Sequence, residues 1–251
     1  MKRLAILFAA AAALFSCGPK TVNVLVLSEN GGHHKPFTDV VVPWLQEVAP
    51  SEGLKITVIN NTEPVNEKYL AKFDVVLQLD YPPYSWPKDA EDAFIKYVDE
   101  GRGGWIGMHH ASLLGEFDGY PMWPWFSEML GGIRYQDYIA ELSDGLVVLE
   151  KPEHPLFKGL PASFVIPDDE WYTYDRNPRL CPDVEVLAVV DEDSYTVETD
   201  KKMGDHPAIW TNTSKGGRNV YFQFGHSKKL VDLPEFRALL LNAIHWAAEK
   251  E

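Results

Sequence analysis

Histidines follow three of the strands that the sequence predicts, at the points where those strands end. They are His33 and His34, His109, and His226. Because loops at the carboxyl ends of parallel strands meet in one crevice, these side chains should lie close together. A neutral imidazole can accept a proton or bind a divalent metal, so the pattern predicts acid/base or metal-assisted chemistry.

Acidic residues stand where they could complete such a site. Asp80 follows a predicted strand over 73–79, and Asp169 and Glu170 lie between aromatic residues in the stretch DDEWY. Paired carboxylates perform general acid/base chemistry when their surroundings separate their pKa values. The same acids could instead belong to a solvated loop, and the sequence leaves both interpretations open.

The histidines are numerous enough for a catalytic zinc-like ion, which takes three protein ligands and keeps one position open. The predicted ligands are His33 or His34, His109 and His226, with Asp80 or Glu170 as further candidates. The sequence contains no closely spaced ligand pair such as HxxxH or CxxC. An acid/base site without metal is therefore the alternative, and no nucleotide cofactor is expected.

Aromatic residues near these positions would form flat walls of the kind that hold sugar rings, although such residues are also ordinary in a core. The predicted contacts to substrate are Tyr172 and Trp210, together with His33, His34 and Asp80.

The elements that must position these residues alternate between strands and helices in the first half of the chain. Apolar, β-branched runs predict strands over 22–28, 54–60, 73–79 and 104–108. Helical spacing predicts helices over roughly 36–49 and between Ser85 and Gly101. This alternation predicts an α/β fold with a doubly wound, mostly parallel sheet.

The second half of the chain is richer in strands and ends in a helix. The strands are predicted over 145–150, 163–166, 184–190, 206–211 and 218–224, and the helix begins near Asp232. No repeat or linker interrupts the chain after residue 21, so a single domain over 22–251 is expected. With 45% hydrophobic residues and a formal net charge of −14, the chain can bury a core and does not have the charge of a nucleic-acid binder.

Residues 1–17 have the pattern of a secretory signal, with two early basic residues and an apolar run too short to span a membrane. The run ends in LFSC, which resembles the lipobox of bacterial lipoproteins and predicts lipidation of Cys17. Residues 18–21 would be a tether. We therefore expect an exported protein anchored to the bacterial envelope, in the periplasm or on the outer-membrane surface. Cys181 would then have no disulfide partner.

Six segments occur in the order seen in ThuA-like proteins, which are named after a trehalose-utilisation protein. They are GGWIGMHHAS (103–112), MWPWFSEMLGG (122–132), EHPLFKGLP (153–161), DDEWY (168–172), HPAIW (206–210) and GRNVYFQFGH (217–226). The resemblance covers roughly residues 22–249. It implies a flavodoxin-like fold of the class I glutamine amidotransferase type, in agreement with the strand pattern.

The resemblance also implies a place for His109. In amidotransferases the turn from strand to helix carries a nucleophilic cysteine, and a later strand ends at a partner histidine. Here His109 occupies the first position and His226 the second, while Lys228 stands where a glutamate is usual. Because a thiolate nucleophile is missing, we expect no glutaminase activity.

For function, the resemblance implies a carbohydrate substrate related to trehalose, and in particular its 3-keto derivatives. A ketone makes the neighbouring ring C–H easier to deprotonate, which would allow hydrolysis by elimination, or isomerisation. The expected roles are His109 as base or ligand, His226 as its partner, and Asp169 or Glu170 as acid. The alternative is an envelope lipoprotein that binds sugar without catalysis. The sequence does not determine the oligomeric state.

Overall fold

The computed structural model describes residues 21–29, 32–84, 86–116 and 119–249. The predicted signal peptide, the lipidated Cys17 and most of the predicted tether lie outside these residues. Among the described residues, no helix is both long enough and apolar enough to cross a membrane.

Nine strands of the described chain form one mixed sheet in the order β2-β1-β3-β4-β11-β10-β9-β6-β7. Its parallel half contains β1 (Val22–Leu27), β2 (Leu54–Ile59), β3 (Val75–Gln78), β4 (Gly104–Met108) and β11 (Asn219–Phe222). Its antiparallel half contains β6 (Ser143–Leu149), β7 (Ser163–Asp169), β9 (Val184–Asp191) and β10 (Pro207–Asn212). A separate antiparallel pair is formed by β5 (Tyr135–Tyr138) and β8 (Tyr172–Tyr174).

Helices cover both faces of the sheet because each helix has one apolar face. They are α1 (Lys35–Val48), α2 (Glu67–Leu70), α3 (Lys88–Asp99), α4 (Pro124–Met129) and α5 (Pro234–Ala248). The buried residues of α1 and α5 belong to one core cluster, and those of α3 and α4 belong to the other. In α1 the buried Phe37, Val41 and Leu45 recur every fourth residue, which gives the helix a single stripe to pack.

The predicted α/β fold with a parallel core is confirmed. The second half of the chain adds antiparallel strands, since β10 and β11 are joined by a short loop and a parallel connection needs a dozen or more residues. The sequence pattern did not predict the small sheet of β5 and β8. The segment YQDY of β5 alternates between half-buried and exposed residues and carries no apolar periodicity.

The parallel half determines where the functional loops meet. The chain leaves β1, β3, β4 and β11 at the same edge of the sheet, as their parallel registers require. His34, Asp80, His109 and His226 all lie just beyond these strand ends. Glu170 comes from a different direction, because it follows the antiparallel edge strand β7.

Candidate functional site

Four side chains from four separate segments direct their ligand atoms toward one point. They are His34, His109, Glu170 and His226, and one ligand atom of each lies within 4.8 Å of the others. His109 Nε2 is 3.2 Å from Glu170 Oε2, and His226 Nδ1 is 2.9 Å from His34 Nε2. His226 Nδ1 also lies 3.6 Å from Glu170 Oε2. Three imidazole nitrogens and one carboxylate oxygen make a donor set suited to a zinc-like divalent ion.

The backbone at His109 is strained in the way expected of a functional turn. Its φ is +42°, a value that non-glycine residues rarely adopt, and the residue directly follows β4. Gly225 lets the loop after β11 approach, because a Cβ at Gly225 would lie 3.2 Å from the Cβ of His109. The turn therefore presents the fully buried His109 ring to the loop that carries His226.

A backbone hydrogen bond determines the tautomer of His109. Its Nδ1 lies 2.9 Å from the carbonyl oxygen of Gln223, and a carbonyl oxygen only accepts, so Nδ1–H is the donor. In neutral His109 the lone pair is then on Nε2, which faces the carboxylate of Glu170. Two acceptors at this distance repel unless a proton or a cation lies between them. Metal-binding histidines are commonly oriented by such a bond from the other ring nitrogen.

The protonation states of the group follow from burial and mutual contact. Burial, and then the neighbouring histidines, hold the pKa of His34 well below its usual range, so its ring is neutral. Burial alone would raise the pKa of Glu170, but the contacts with the imidazoles of His109 and His226 hold it well below its usual range. Burial opposes the charged form of His226, yet the contact with Glu170 raises its pKa. The group thus combines a neutral nitrogen donor in His34 with an ionised oxygen donor in Glu170.

Asp169 holds the backbone of the site instead of facing its centre. The fully buried carboxylate of Asp169 accepts hydrogen bonds from four backbone N–H groups, at distances of 3.0 to 3.3 Å. These groups belong to Glu170, Gly225, His226 and Ser227. The carboxylate therefore joins the end of β7 to the loop after β11, and so joins two ligand-bearing segments.

A further buried network orients the wall of the site. His206 Nε2 donates to the carbonyl oxygen of Tyr172 at 2.9 Å, while His206 Nδ1 lies 2.7 Å from Glu192 Oε1. The amide of Gln223 donates to the same Tyr172 carbonyl at 2.7 Å. The ring of Tyr172 stacks on His109 with the centroids 4.2 Å apart. His206 had no predicted role in the site, because nothing in the segment DHP indicates a buried contact with Glu192.

Three members of the group, His34, Glu170 and His226, line a cavity of about 640 Å³, while His109 is fully buried beside them. The side walls include Tyr84, Tyr135, Tyr172 and His110. Nδ1 of His110 lies 3.2 Å from the carbonyl oxygen of Asp80, so Nδ1 donates and Nε2 is left as an acceptor. Burial, followed by the neighbouring His109, lowers the pKa of His110 to about 3, which keeps that acceptor uncharged.

Some of the predicted site residues belong to the group of four, and others lie outside it. His109, His226 and Glu170 belong to the group, whereas His33 is exposed and the buried His34 takes its place as a candidate ligand. His33 still lines the cavity. Of the two alternatives His33 and His34, the group contains His34, because the turn that begins α1 directs the second histidine inward.

Two predicted substrate contacts lie behind the cavity. Trp210 is 1% exposed, and its indole N–H donates to the carbonyl oxygen of Leu130. Asp80 is fully buried, and its Oδ1 accepts the backbone N–H of Glu29. Burial raises the pKa of Asp80 to about 7. Tyr172 does line the cavity, and Tyr135, which the sequence did not single out, lies beside it.

The sequence of this chain matches a known protein family over most of its length. The model of the ThuA family, described as trehalose utilisation, matches residues 23–247. The chain belongs to the ThuA family. A comparison with curated protein sequences found no match.

Solved structures agree with this membership. A ThuA-like protein from Bacteroides uniformis is 27% identical, with a TM-score of 0.80 and 95% of each chain covered. A ThuA-like protein from Parabacteroides merdae is 18% identical, with a TM-score of 0.68 over 91% of this chain and 90% of that one. A GMP synthase subunit from Thermoplasma acidophilum is 13% identical, with a TM-score of 0.55 over 92% and 96%. The last two show the fold alone, and the fold of this ThuA-family chain is of the amidotransferase type.

Replacing Asp169 with Asn should destabilise the protein. The amide would present a donor to backbone N–H groups that need an acceptor, which costs about 1–3 kcal/mol of unfolding free energy. The matched control is Asp168→Asn. Asp168 is 43% exposed and its carboxylate pairs with the exposed Lys229, so its loss should cost less than about 1 kcal/mol. Urea unfolding curves of the two variants provide the measurement, and equal losses would contradict the positioning role of Asp169.

Proposed function

We propose that this ThuA-family protein is a metal-dependent enzyme that processes a carbohydrate, specifically a 3-keto disaccharide or glycoside related to trehalose. The observation that carries the proposal is the convergence of His34, His109, Glu170 and His226 within 4.8 Å, with three of the four lining a cavity. The description of the family as trehalose utilisation supports the class of substrate.

The residues fit a divalent ion for three physical reasons. The lone pair of His109 Nε2 faces Glu170, an arrangement that a cation between them stabilises. His34 is neutral, so no proton has to leave before it can bind. A single carboxylate, 15% exposed, supplies the negative charge that a buried cation needs.

The proposed reaction depends on a bound divalent ion and on the side chains that would orient the sugar beside it. A divalent ion at this position would polarise a substrate carbonyl and make a C–H beside that carbonyl more acidic. Tyr172 and Tyr135 pack against each other with ring centroids 5.1 Å apart and form one wall. His110 offers a neutral nitrogen acceptor to a sugar hydroxyl. Loss of the C–H proton to a histidine nitrogen, with the glycosidic oxygen leaving as a hydroxyl group after it takes up a proton, would be a lyase step. Addition of water to the resulting C=C bond would complete a hydrolysis, and return of the proton to another carbon or to the opposite face would be an isomerisation.

Metal binding can be tested without knowledge of the substrate. The purified protein should bind Zn²⁺ in a calorimetric titration, and His34→Ala should weaken that binding more than about 100-fold, because even outer-shell partners of a metal account for about 10–100-fold. Glu170→Gln, which keeps the size of the side chain, should also weaken it.

The neighbouring His33 is the matched control for that titration. His33→Ala removes an exposed imidazole one residue away and should leave Zn²⁺ affinity unchanged. Equal affinities for the wild type and His34→Ala would contradict the assignment of the ligands.

Turnover is tested with trehalose and a 3-keto disaccharide, followed by mass spectrometry, with and without a chelator. We expect product from the keto sugar, its loss in His109→Ala, and its loss on chelation. Turnover that survives chelation would favour an acid/base site in which His109 and Glu170 act without metal. Sugar binding without product after long incubation would favour the alternative, a sugar-binding envelope protein.

The proposed place of action is the cell envelope. The signal pattern of residues 1–17 and the lipobox-like LFSC support lipid attachment at Cys17. Cys17→Ser should move the exported protein from the membrane fraction to the soluble fraction. An unchanged distribution between the two fractions would contradict the anchor.

A further inference from the structure

A second, smaller cavity adjoins the cavity over the candidate metal group. Its volume is about 320 Å³, and Tyr84 lines both cavities. Its other walls include Trp86, Tyr120 and Trp123. We call it the aromatic pocket. Because one side chain belongs to both walls, a ligand that extends past Tyr84 from the first cavity reaches the aromatic pocket next.

Two tyrosines stacked on each other provide an aromatic surface at this junction through their outer ring faces. The rings of Tyr84 and Tyr120 stack with their centroids 4.6 Å apart and their planes 20° from parallel, and Tyr120 is 40% exposed. The backbone N–H of Glu116 donates to the carbonyl oxygen of Tyr120 at 2.6 Å. The carboxylate of Glu116 in turn accepts from Arg134 at 2.7 Å. The surface is therefore held in place by the protein itself, so a ligand need not order it.

The aromatic pocket also contains a polar side chain that could bind the hydroxyl groups of a sugar. Glu91 is its acidic lining residue, and partial burial raises the pKa of that carboxyl. A pyranose ring presents C–H bonds on its faces and hydroxyl groups at its edge. Aromatic faces, which carry negative charge density, suit the C–H bonds, and a carboxylate accepts from hydroxyl groups.

Another part of the lining of the first cavity is less suited to a sugar ring. Tyr138 and Leu142 are exposed there, at 39% and 40%. The adjoining surface beyond Tyr138 carries Asp137, Glu141 and Lys201 and offers no second aromatic side chain among its lining residues.

We propose that Tyr84 and Tyr120 bind the second, non-reacting ring of a disaccharide substrate, while the first ring lies over the group of His34, His109, Glu170 and His226. This inference rests on the proposed function and adds to it that the preferred substrate contains at least two rings. It makes Tyr120 a specificity-determining residue that does not contact the reacting ring.

The test compares a 3-keto disaccharide with the methyl glycoside of its 3-keto ring, which keeps the glycosidic bond and lacks the second ring. Tyr120→Ala should raise KM for the disaccharide by about threefold to tenfold, the range expected for one aromatic contact. Values of kcat/KM for the methyl glycoside should not change, because that sugar does not reach Tyr120. Tyr120→Phe keeps the ring and should behave as the wild type.

Tyr69→Ala is the control for the loss of a tyrosine elsewhere. Tyr69 packs against Phe73 and lines neither cavity, so both substrates should be turned over as by the wild type. An equal effect of Tyr120→Ala on both sugars, or no effect on either, would overturn this inference while the proposed function stands. If the wild type neither binds nor converts either sugar, the proposed function fails and this inference fails with it.

Discussion

The carboxylate of Asp169 is the contact on which the arrangement of the site depends. It accepts the backbone N–H groups of Glu170, Gly225, His226 and Ser227, and so joins the end of β7 to the loop after β11. An anion that is fully buried requires such donors, because an unpaired buried charge is costly. With these donors in place, Glu170 and His226 are held at a fixed separation, and each can face the histidines that come from β1 and β4.

The arrangement of the candidate ligands is electrostatically unfavourable in the absence of a proton or a cation between them. Three histidine rings crowd one carboxylate, and the tautomer that Gln223 imposes on His109 directs a lone pair at that carboxylate. The positive φ of His109 adds backbone strain at the same place. Strain and crowded donors of this kind are typical of sites that bind an ion or react with a substrate, since a purely structural core would replace them with apolar residues.

The turn after β4 shows how one fold can serve different chemistries. The sheet delivers a strained residue at this position, and the ThuA-family chain has His109 there, packed beneath Tyr172. Cys181 is a half-buried free cysteine that follows a turn at Pro178–Leu180 and precedes β9, so it does not belong to the strand ends where the histidines meet. The fold therefore accounts for the position of residue 109, and the side chains around it decide which chemistry that position can support.

The sequence by itself determined the parallel core and the convergence of three histidine-bearing loops. Each strand can be recognised from its own run of apolar residues, and parallel strands joined by helices all end at the same edge of the sheet. The sequence could not choose between His33 and His34, since that choice depends on how the first turn of α1 enters the fold. It indicated Asp169 and Glu170 as alternative acids without distinguishing them. Where β7 meets the loop after β11, Asp169 faces inward to backbone N–H groups and Glu170 faces the cavity. The tertiary structure likewise decided that Trp210 is core and that Tyr135 and Tyr120 line cavities, because burial and exposure depend on packing partners distant in sequence.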